Sequence, residues 1–269
     1  MVAVAVTAGA VGLLGAVPEA AAQTMVNCAT DDLQAAIDAA TPGTSLVVSG
    51  TCNGDFTIGK NLTLTGMTGA TLDGTGGTST LTVTAGVQVS LVDLTVTGGG
   101  GANGAGIRNI GATLGLNRVT VTQNASSNTG GGIHNEAGGV LTLNRSTVSS
   151  NTANFGGGIL NQASTLRLNN STVNNNVALF GGGIHIVVNS TATLNGSTVT
   201  MNTAFSQGGG INVDTANTLV LNRSTVSFNS AGVDGGGIRN LGTVTNRRSS
   251  IVGNSPDQCA PPGSVPGCA

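Results

Sequence analysis

The chain has 269 residues, of which 39% are hydrophobic and 7% charged, with a formal net charge of -2. That is enough apolar material for a core and excludes a disordered polymer, while the near-neutral balance leaves no electrostatic footprint for nucleic acid or an anionic membrane. The absence of Trp and Tyr argues against a sugar-binding module built on exposed aromatic rings.

Residues 1–22 read as an export signal. Val2 to Val17 form an apolar run too short to cross a bilayer, and Ala20, Ala21 and Ala22 supply a small-residue cleavage site before Gln23. The product is expected to be secreted or on the cell surface, with no membrane span in the mature chain, residues 23–269. Four cysteines fit that oxidising compartment. Cys28 and Cys52 are close in sequence, as are Cys259 and Cys268, and the pairs sit at opposite ends of the chain, so bridges Cys28–Cys52 and Cys259–Cys268 are expected. Such separation keeps the four thiols from one metal, and neither metal nor cofactor is expected.

One convincing helix follows, from Asp31 to Ala40, with Thr30 or Asp31 as N-cap. Leu33, Ala36, Ile37 and Ala40 share one face, and Pro42 and Gly43 stop it. A short amphipathic helix here suits a cap over the end of a β stack, residues 28–45. Ser45 to Val48, Phe56 to Ile58 and Asn61 to Gly66 are expected to form the first coils. Asp73 and Gly74 make a turn, and Leu81 to Val83, Val87 to Leu91 and Leu94 to Val96 continue the stack.

From residue 104 one unit recurs six times. Its Ile copies are Ile107, Ile133, Ile159, Ile184, Ile211 and Ile238; its second-strand copies are Val121, Val148, Val173, Val199, Val226 and Ile251. A period of 25 to 27 residues with short strands and Gly turns means a solenoid, because a strand of three or four residues buries its apolar side chains only against copies stacked at ~4.8 Å. Alternation points Ile133 and Asn135 inward and His134 outward, and Val148 inward between Thr147 and Ser149. The coils should occupy 46–256, closed by a disulfide tail over 257–269.

Two asparagine columns are nearly unbroken: Asn124, Asn151, Asn176, Asn202, Asn229 and Asn254, and Asn117, Asn144, Asn169, Asn195 and Asn222. A third, Asn109, Asn135, Asn161 and Asn240, is interrupted by Ile186 and Val213. Each reads as a structural amide ladder. Asn246 and Arg247 break the pattern in the last coil. The Gly-Gly-Gly runs place conformational freedom where a coil bends. Phe155, Phe180 and Phe205 precede three of those runs and are expected to stack.

After the cap the acids are Asp55, Asp73, Asp93, Glu136, Asp214, Asp234 and Asp257, with no Asp pair adjacent in sequence. The outward column after the Ile reads Arg108, His134, Leu160, His185, Asn212 and Arg239. Its weak catalytic candidates are His134, Glu136 and Arg108, which the stacking brings onto one face. His134 and His185, two coils apart at roughly 9.5 Å, are too distant to share a metal. Arg118, Arg145, Arg223 and Arg248 form a basic stripe broken by Asn170 and Gly196, read as a solvated face that an acidic glycan would also suit. Thr120 and Thr122, Thr147 and Ser149, Thr172 and Asn174, Thr198 and Thr200, and Thr225 and Ser227 flank the core valines, an incomplete version of the Thr-x-Thr face of ice-binding solenoids.

The helix Asp31 to Ala40, the strand Leu62-Thr63-Leu64-Thr65-Gly66, and the Gly-Gly-Gly-Ile and Val-x-x-Asn repeats together resemble the right-handed parallel β-helix proteins of the pectate-lyase-like superfamily. Within it they are similar to secreted bacterial proteins with polymorphic outer-membrane-protein-like repeats, with Gly in place of that motif's Ala and Val in place of its Phe. The resemblance covers residues 28 to 256 and implies an all-β, single-stranded, right-handed parallel β-helix with a short N-terminal capping helix. Function is less constrained, because the superfamily holds lyases, hydrolases, esterases, adhesins and tailspikes. With so few carboxylates, the reading is a non-catalytic monomeric surface scaffold or adhesin-like protein whose partner is a cell-surface or extracellular glycan. The alternatives are a polysaccharide lyase or glycoside hydrolase and, third, an ice-binding protein.

Overall fold

The computed structural model describes residues 23–268, and the export signal expected over residues 1–22 lies outside the described residues. Three parallel sheets run along the molecule. The leucine sheet has ten strands, from Thr24–Asn27 through Thr113–Asn117 to Thr243–Arg247. The isoleucine sheet has nine, from Phe56–Ile58 to Cys259–Ala260, and the valine sheet nine, from Thr51–Asn53 to Ser250–Val252. Each repeat contributes one strand to each in turn, so the chain winds as a right-handed parallel β-helix of about nine turns.

The register places like over like. Ile107, Ile133, Ile159, Ile184, Ile211 and Ile238 are direct partners along one sheet, and Val121, Val148, Val173, Val199, Val226 and Ile251 along another. All twelve are buried, each contributing about 1.5–3 kcal/mol from its removal from water. Each glycine run lets neighbouring coils approach: a Cβ on Gly132 would lie 2.6 Å from the Gly158 carbonyl and 2.8 Å from Val148 Cγ1.

Asparagine ladders occupy two environments. In the buried column, Asn176 Nδ2 donates to Asn202 Oδ1 at 3.0 Å and to the Val148 carbonyl at 3.0 Å, while its Oδ1 accepts from Asn151 N and Nδ2, both at 3.0 Å. The same pattern runs from Asn124 to Asn254, where Gln258 Oε1 takes the place of the next asparagine. At the corner between the leucine and valine sheets, Asn144, Asn169, Asn195 and Asn222 each donate once to the preceding coil, at 2.8–2.9 Å. The third column is a ladder from Asn109 through Asn135 to Asn161. A further ladder is built by Ser146, Ser171, Ser197, Ser224 and Ser249, whose hydroxyls accept the backbone N–H of the coil before.

The helix spans Leu33–Ala39, and its N-cap is Asp32 rather than Thr30 or Asp31: the Asp32 carboxylate accepts from Ala35 N at 3.1 Å. Asp31 instead receives the Asn27 N–H at 2.8 Å, closing the turn before the helix. Leu33 and Ile37 are buried against the end of the core, and Lys60 Nζ donates to the Asp38 and Ala40 carbonyls, satisfying the helix C-terminus. Near the N-terminus three strands go beyond the sequence reading: Thr24–Asn27, which pairs with Thr44–Ser49, and the pair Thr51–Asn53 and Thr71–Asp73. Asp73 therefore ends a strand, with Leu72 buried beside it. The disulfides are Cys28–Cys52 and Cys259–Cys268. At the far end Asn246, in a core position, accepts from Ser249 N and donates to the Pro266 carbonyl of the disulfide tail, both at 3.0 Å.

Candidate functional site

Each coil leaves the valine sheet through the buried asparagine, swings outward, and returns through the glycine run to the isoleucine sheet. The outward segments stack on one another, in part as a fourth sheet of Val177–Phe180, Thr203–Gln207 and Ser230–Ala231. They form a wall beside the outer face of the isoleucine sheet. The wall comes close because its glycines have no side chain: a Cβ on Gly130, Gly181, Gly208 or Gly235 would fall 2.6–2.8 Å from the Cβ of His134, His185, Asn212 or Arg239. All four glycines have φ between +59° and +69°, so the same residue also satisfies the turn.

This wall changes the environment of the outward column. His134 points away from the solenoid axis as alternation requires, yet it is buried, as are Leu160, His185 and Asn212; the outward column is the floor of a cleft. His134 Nδ1 lies 3.3 Å from Thr129 Oγ1 of the wall and Nε2 lies 3.2 Å from Gln162 Oε1 on the next strand. Arg108 Nε donates to Glu136 Oε1 at 2.7 Å, and Glu136 Oε2 stays 3.9 Å from His134 Nε2. The stacking thus brings Arg108, His134 and Glu136 together, but as a mutually satisfied group. Burial pushes the His134 pKa down and the Arg108 charge adds to this, against the opposing Glu136 charge and Gln162 hydrogen bond, so the imidazole is neutral at pH 7.

Three coils on, a second group gathers. His185 Nε2 lies 3.3 Å from Asp214 Oδ2 and 2.8 Å from the Asn212 side-chain amide. Arg239 Nη1 is 3.8 Å from Asp214 Oδ1, and its Nε is 3.6 Å from Asp234 Oδ1. The hydrogen bond from His185 holds the Asp214 carboxyl below the usual carboxylate range. Partial burial opposes this, while the charges of His185 and Arg239 and the Asn212 amide reinforce it. Two carboxylates from different elements therefore flank one guanidinium, Asp214 after an isoleucine-sheet strand and Asp234 from the wall. They are 20 residues apart in sequence, which is why a search for adjacent aspartates misses them.

Beside this group opens a cleft of about 290 Å³, lined by Asn128, Thr129, Phe155, Leu160, Gln162, His185, Val187, Val188 and Asp214. Phe155 stacks on Phe180 at 5.5 Å and on His185 at 6.0 Å. Phe205 does not join them and is 69% exposed. A register shift between Ala178 and Phe180 pairs Phe180 with Gln207, so Phe205 projects from the wall instead. The signal that could have located the cleft is the glycine one turn before each outward polar residue, since it marks where the wall must touch the sheet. Among the described residues no group of three or more His, Cys, Asp or Glu side chains could hold a metal ion, and no helix is long and apolar enough to cross a membrane.

No protein-family model matches the chain, and no curated protein resembles it in sequence. Solved structures do share its fold. A pectin methylesterase from Aspergillus niger superposes with a TM-score of 0.59 at 12% identity, over 86% of each chain. An alginate lyase from Paenibacillus gives 0.49 at 17% identity, over 86% of this chain and 97% of that one, and the pectate lyase Pel9A 0.45 at 13%, over 84% and 75%. The likeness to the methylesterase extends along nearly the whole solenoid and is one of fold.

Proposed function

We propose that this protein is a secreted enzyme acting on an extracellular polysaccharide, a lyase or hydrolase, with the sugar chain lying along the isoleucine sheet against the loop wall. The observation that supports this reading is Asp214, an ionised, partly open carboxylate oriented by His185 and faced by Arg239 at the edge of a cleft. Such a carboxylate can take a proton from water or from a carbon acid. The adjacent guanidinium is placed to stabilise negative charge as it develops on the substrate. His185, stacked on Phe155 and held under Gly181, acts by positioning Asp214. Asp234 keeps Arg239 in place from the opposite side. By contrast, Arg108, His134 and Glu136 are given a structural role, because their polar atoms serve one another.

The test is product release from a panel of neutral and acidic polysaccharides, scored by new reducing ends and by unsaturated termini. Asp214→Asn should lower any turnover by ~10²-fold or more, and His134→Gln should leave it near wild type. No product from any polysaccharide, or full activity in Asp214→Asn, overturns the proposal. Glycan binding without turnover would return the reading to a non-catalytic surface scaffold.

A further inference from the structure

A separate surface, on the corner between the leucine and valine sheets, carries a second inference. Each coil turns this corner through one residue in the left-handed region: Asp93, Arg118, Arg145, Asn170, Gly196, Arg223 and Arg248, with φ between +48° and +58°. Asp, Asn and Gly tolerate that conformation, whereas a long side chain there costs ~1–2 kcal/mol. Backbone preference alone would fill the column with Asn or Gly. Arginine nonetheless stands at four of the seven positions, the kind of local conflict expected where a residue is kept for another reason.

The charges at this corner are segregated. Arg118 is matched by Asp93, with contacts at 2.6 and 2.7 Å. Arg145, Arg167, Arg223, Arg247 and Arg248 are exposed and form no ion pair among the described residues. Four of these unpaired cations, Arg145, Arg223, Arg247 and Arg248, stand at the corner of a chain with nine Lys and Arg and a net charge of -2, and Arg167 lies two residues from it on the leucine sheet. Between them runs a trough. Its main part, about 680 Å³, has Arg223, Arg247 and Arg248 at one end, and its floor is the corner asparagine ladder at Asn169, Asn195 and Asn222. The short Asn170 and the bare Gly196 leave the space open, and a smaller hollow of about 160 Å³ sharing Asn169 and Asn170 continues it to Arg145 and Arg118. The whole spans five coil steps, ~24 Å at the stacking distance. Each ladder Nδ2 spends one N–H on its neighbour, leaving a second N–H to face outward at every coil.

We propose that this trough binds a polyanionic polysaccharide, with Arg223, Arg247 and Arg248 receiving its carboxylate or sulfate groups and the ladder amides meeting its hydroxyls. Planar guanidinium groups suit both anions. A single-stranded nucleic acid fits less well, because the lining holds only Asn, Gly and Arg and gives bases no ring to stack on. The site does not depend on the proposed chemistry at Asp214, which lies on another sheet.

The experiment is binding of the full-length protein to immobilised heparin, polygalacturonate and dextran as salt is raised. Wild type should bind at least one of the acidic chains and not dextran; which one names the anion. Arg223→Ala/Arg247→Ala/Arg248→Ala should weaken that binding at least tenfold and flatten its salt dependence, while the matching Lys variant retains part of it. An unchanged unfolding midpoint in the Ala variant separates lost binding from lost fold. The proposal is overturned by equal binding of dextran, by an Ala variant that binds like wild type, by no retention on either acidic chain, or by an oligothymidylate that binds more tightly than both.

Discussion

The two long asparagine ladders contain the same residue at the same spacing but work differently. In the interior, each amide from Asn124 to Asn254 binds a backbone carbonyl, the next amide and a backbone N–H, and the column is buried from end to end. At the corner, each amide from Asn144 to Asn222 donates a single bond, to the asparagine of the coil before, and keeps a face open to solvent. The bonds also run in opposite senses: interior amides donate toward the C-terminal coil, corner amides toward the N-terminal one. What separates them is the backbone. The interior column replaces hydrogen bonds that the main chain cannot make where it leaves the valine sheet, whereas the corner column decorates strands whose own ladders are already complete. Repetition of a residue is thus evidence of stacking, not of how much that residue stabilises.

Substitution in the middle of the interior ladder should have the largest effect. Asn176→Ala strands Asn151 N, removes one of the two acceptors of Asn151 Nδ2 and takes a donor from the Val148 carbonyl, all in a buried site, and a loss of about 3–5 kcal/mol in denaturant unfolding is expected. A change comparable to that of a surface residue would show that water replaces the ladder. Next comes Gly183→Ala, which attacks the same ladder from outside: the added Cβ would meet the Gly210 carbonyl at 2.6 Å and Asn202 Nδ2 at 2.9 Å. Backbone cannot yield as a side chain can, so about 2–3 kcal/mol should be lost. Its corner counterpart, Gly196→Ala, meets only the movable Asn170 Oδ1 and should lose about 1–2 kcal/mol, for its left-handed conformation alone.

The fold was legible because periodicity is a property of the whole chain: six Ile copies and six Asn copies fix register, core and ladders without knowledge of any loop. The buried serine ladder was written in the same repeats, but a hydroxyl before Thr-Val reads as ordinary strand composition until the backbone N–H it serves is seen. The candidate site was less legible, because it depends on where the loop wall closes. His134 and His185 are outward by strand alternation and buried by the wall, and Asp234 joins Asp214 through Arg239 only in three dimensions. Local deviations hid Phe205 in the same way, through a register shift that composition does not record.

Titration separates the cleft from the ladders, because amides do not ionise. His134 has its folded pKa lowered below 6.5 by burial, so the unfolded chain takes up the proton first. Stability should therefore decline as pH falls below about 6.5, and His134→Gln should remove that part of the profile. Asp214 has its folded pKa lowered below 3.8; its contribution is present above that value and disappears as pH drops through the folded one. A stability profile that is flat between pH 7 and 5, and the same in His134→Gln, would contradict the burial of the imidazole.

The smallest expected change belongs to the corner. Asn169→Ala removes one bond to Asn144 and one from Asn195, at 2.9 Å each, but both partners are half-buried and can turn to water. Net hydrogen-bond contributions at such positions are about 0.5–1 kcal/mol, so the unfolding midpoint should barely shift. If the trough binds an acidic polysaccharide, the same variant should still weaken that binding, because Asn169 lies on its floor. A corner substitution that is nearly silent in stability yet visible in glycan retention is the outcome that distinguishes a ladder kept for its exposed face from one kept for the fold. A stability loss matching that of Asn176→Ala would erase the distinction.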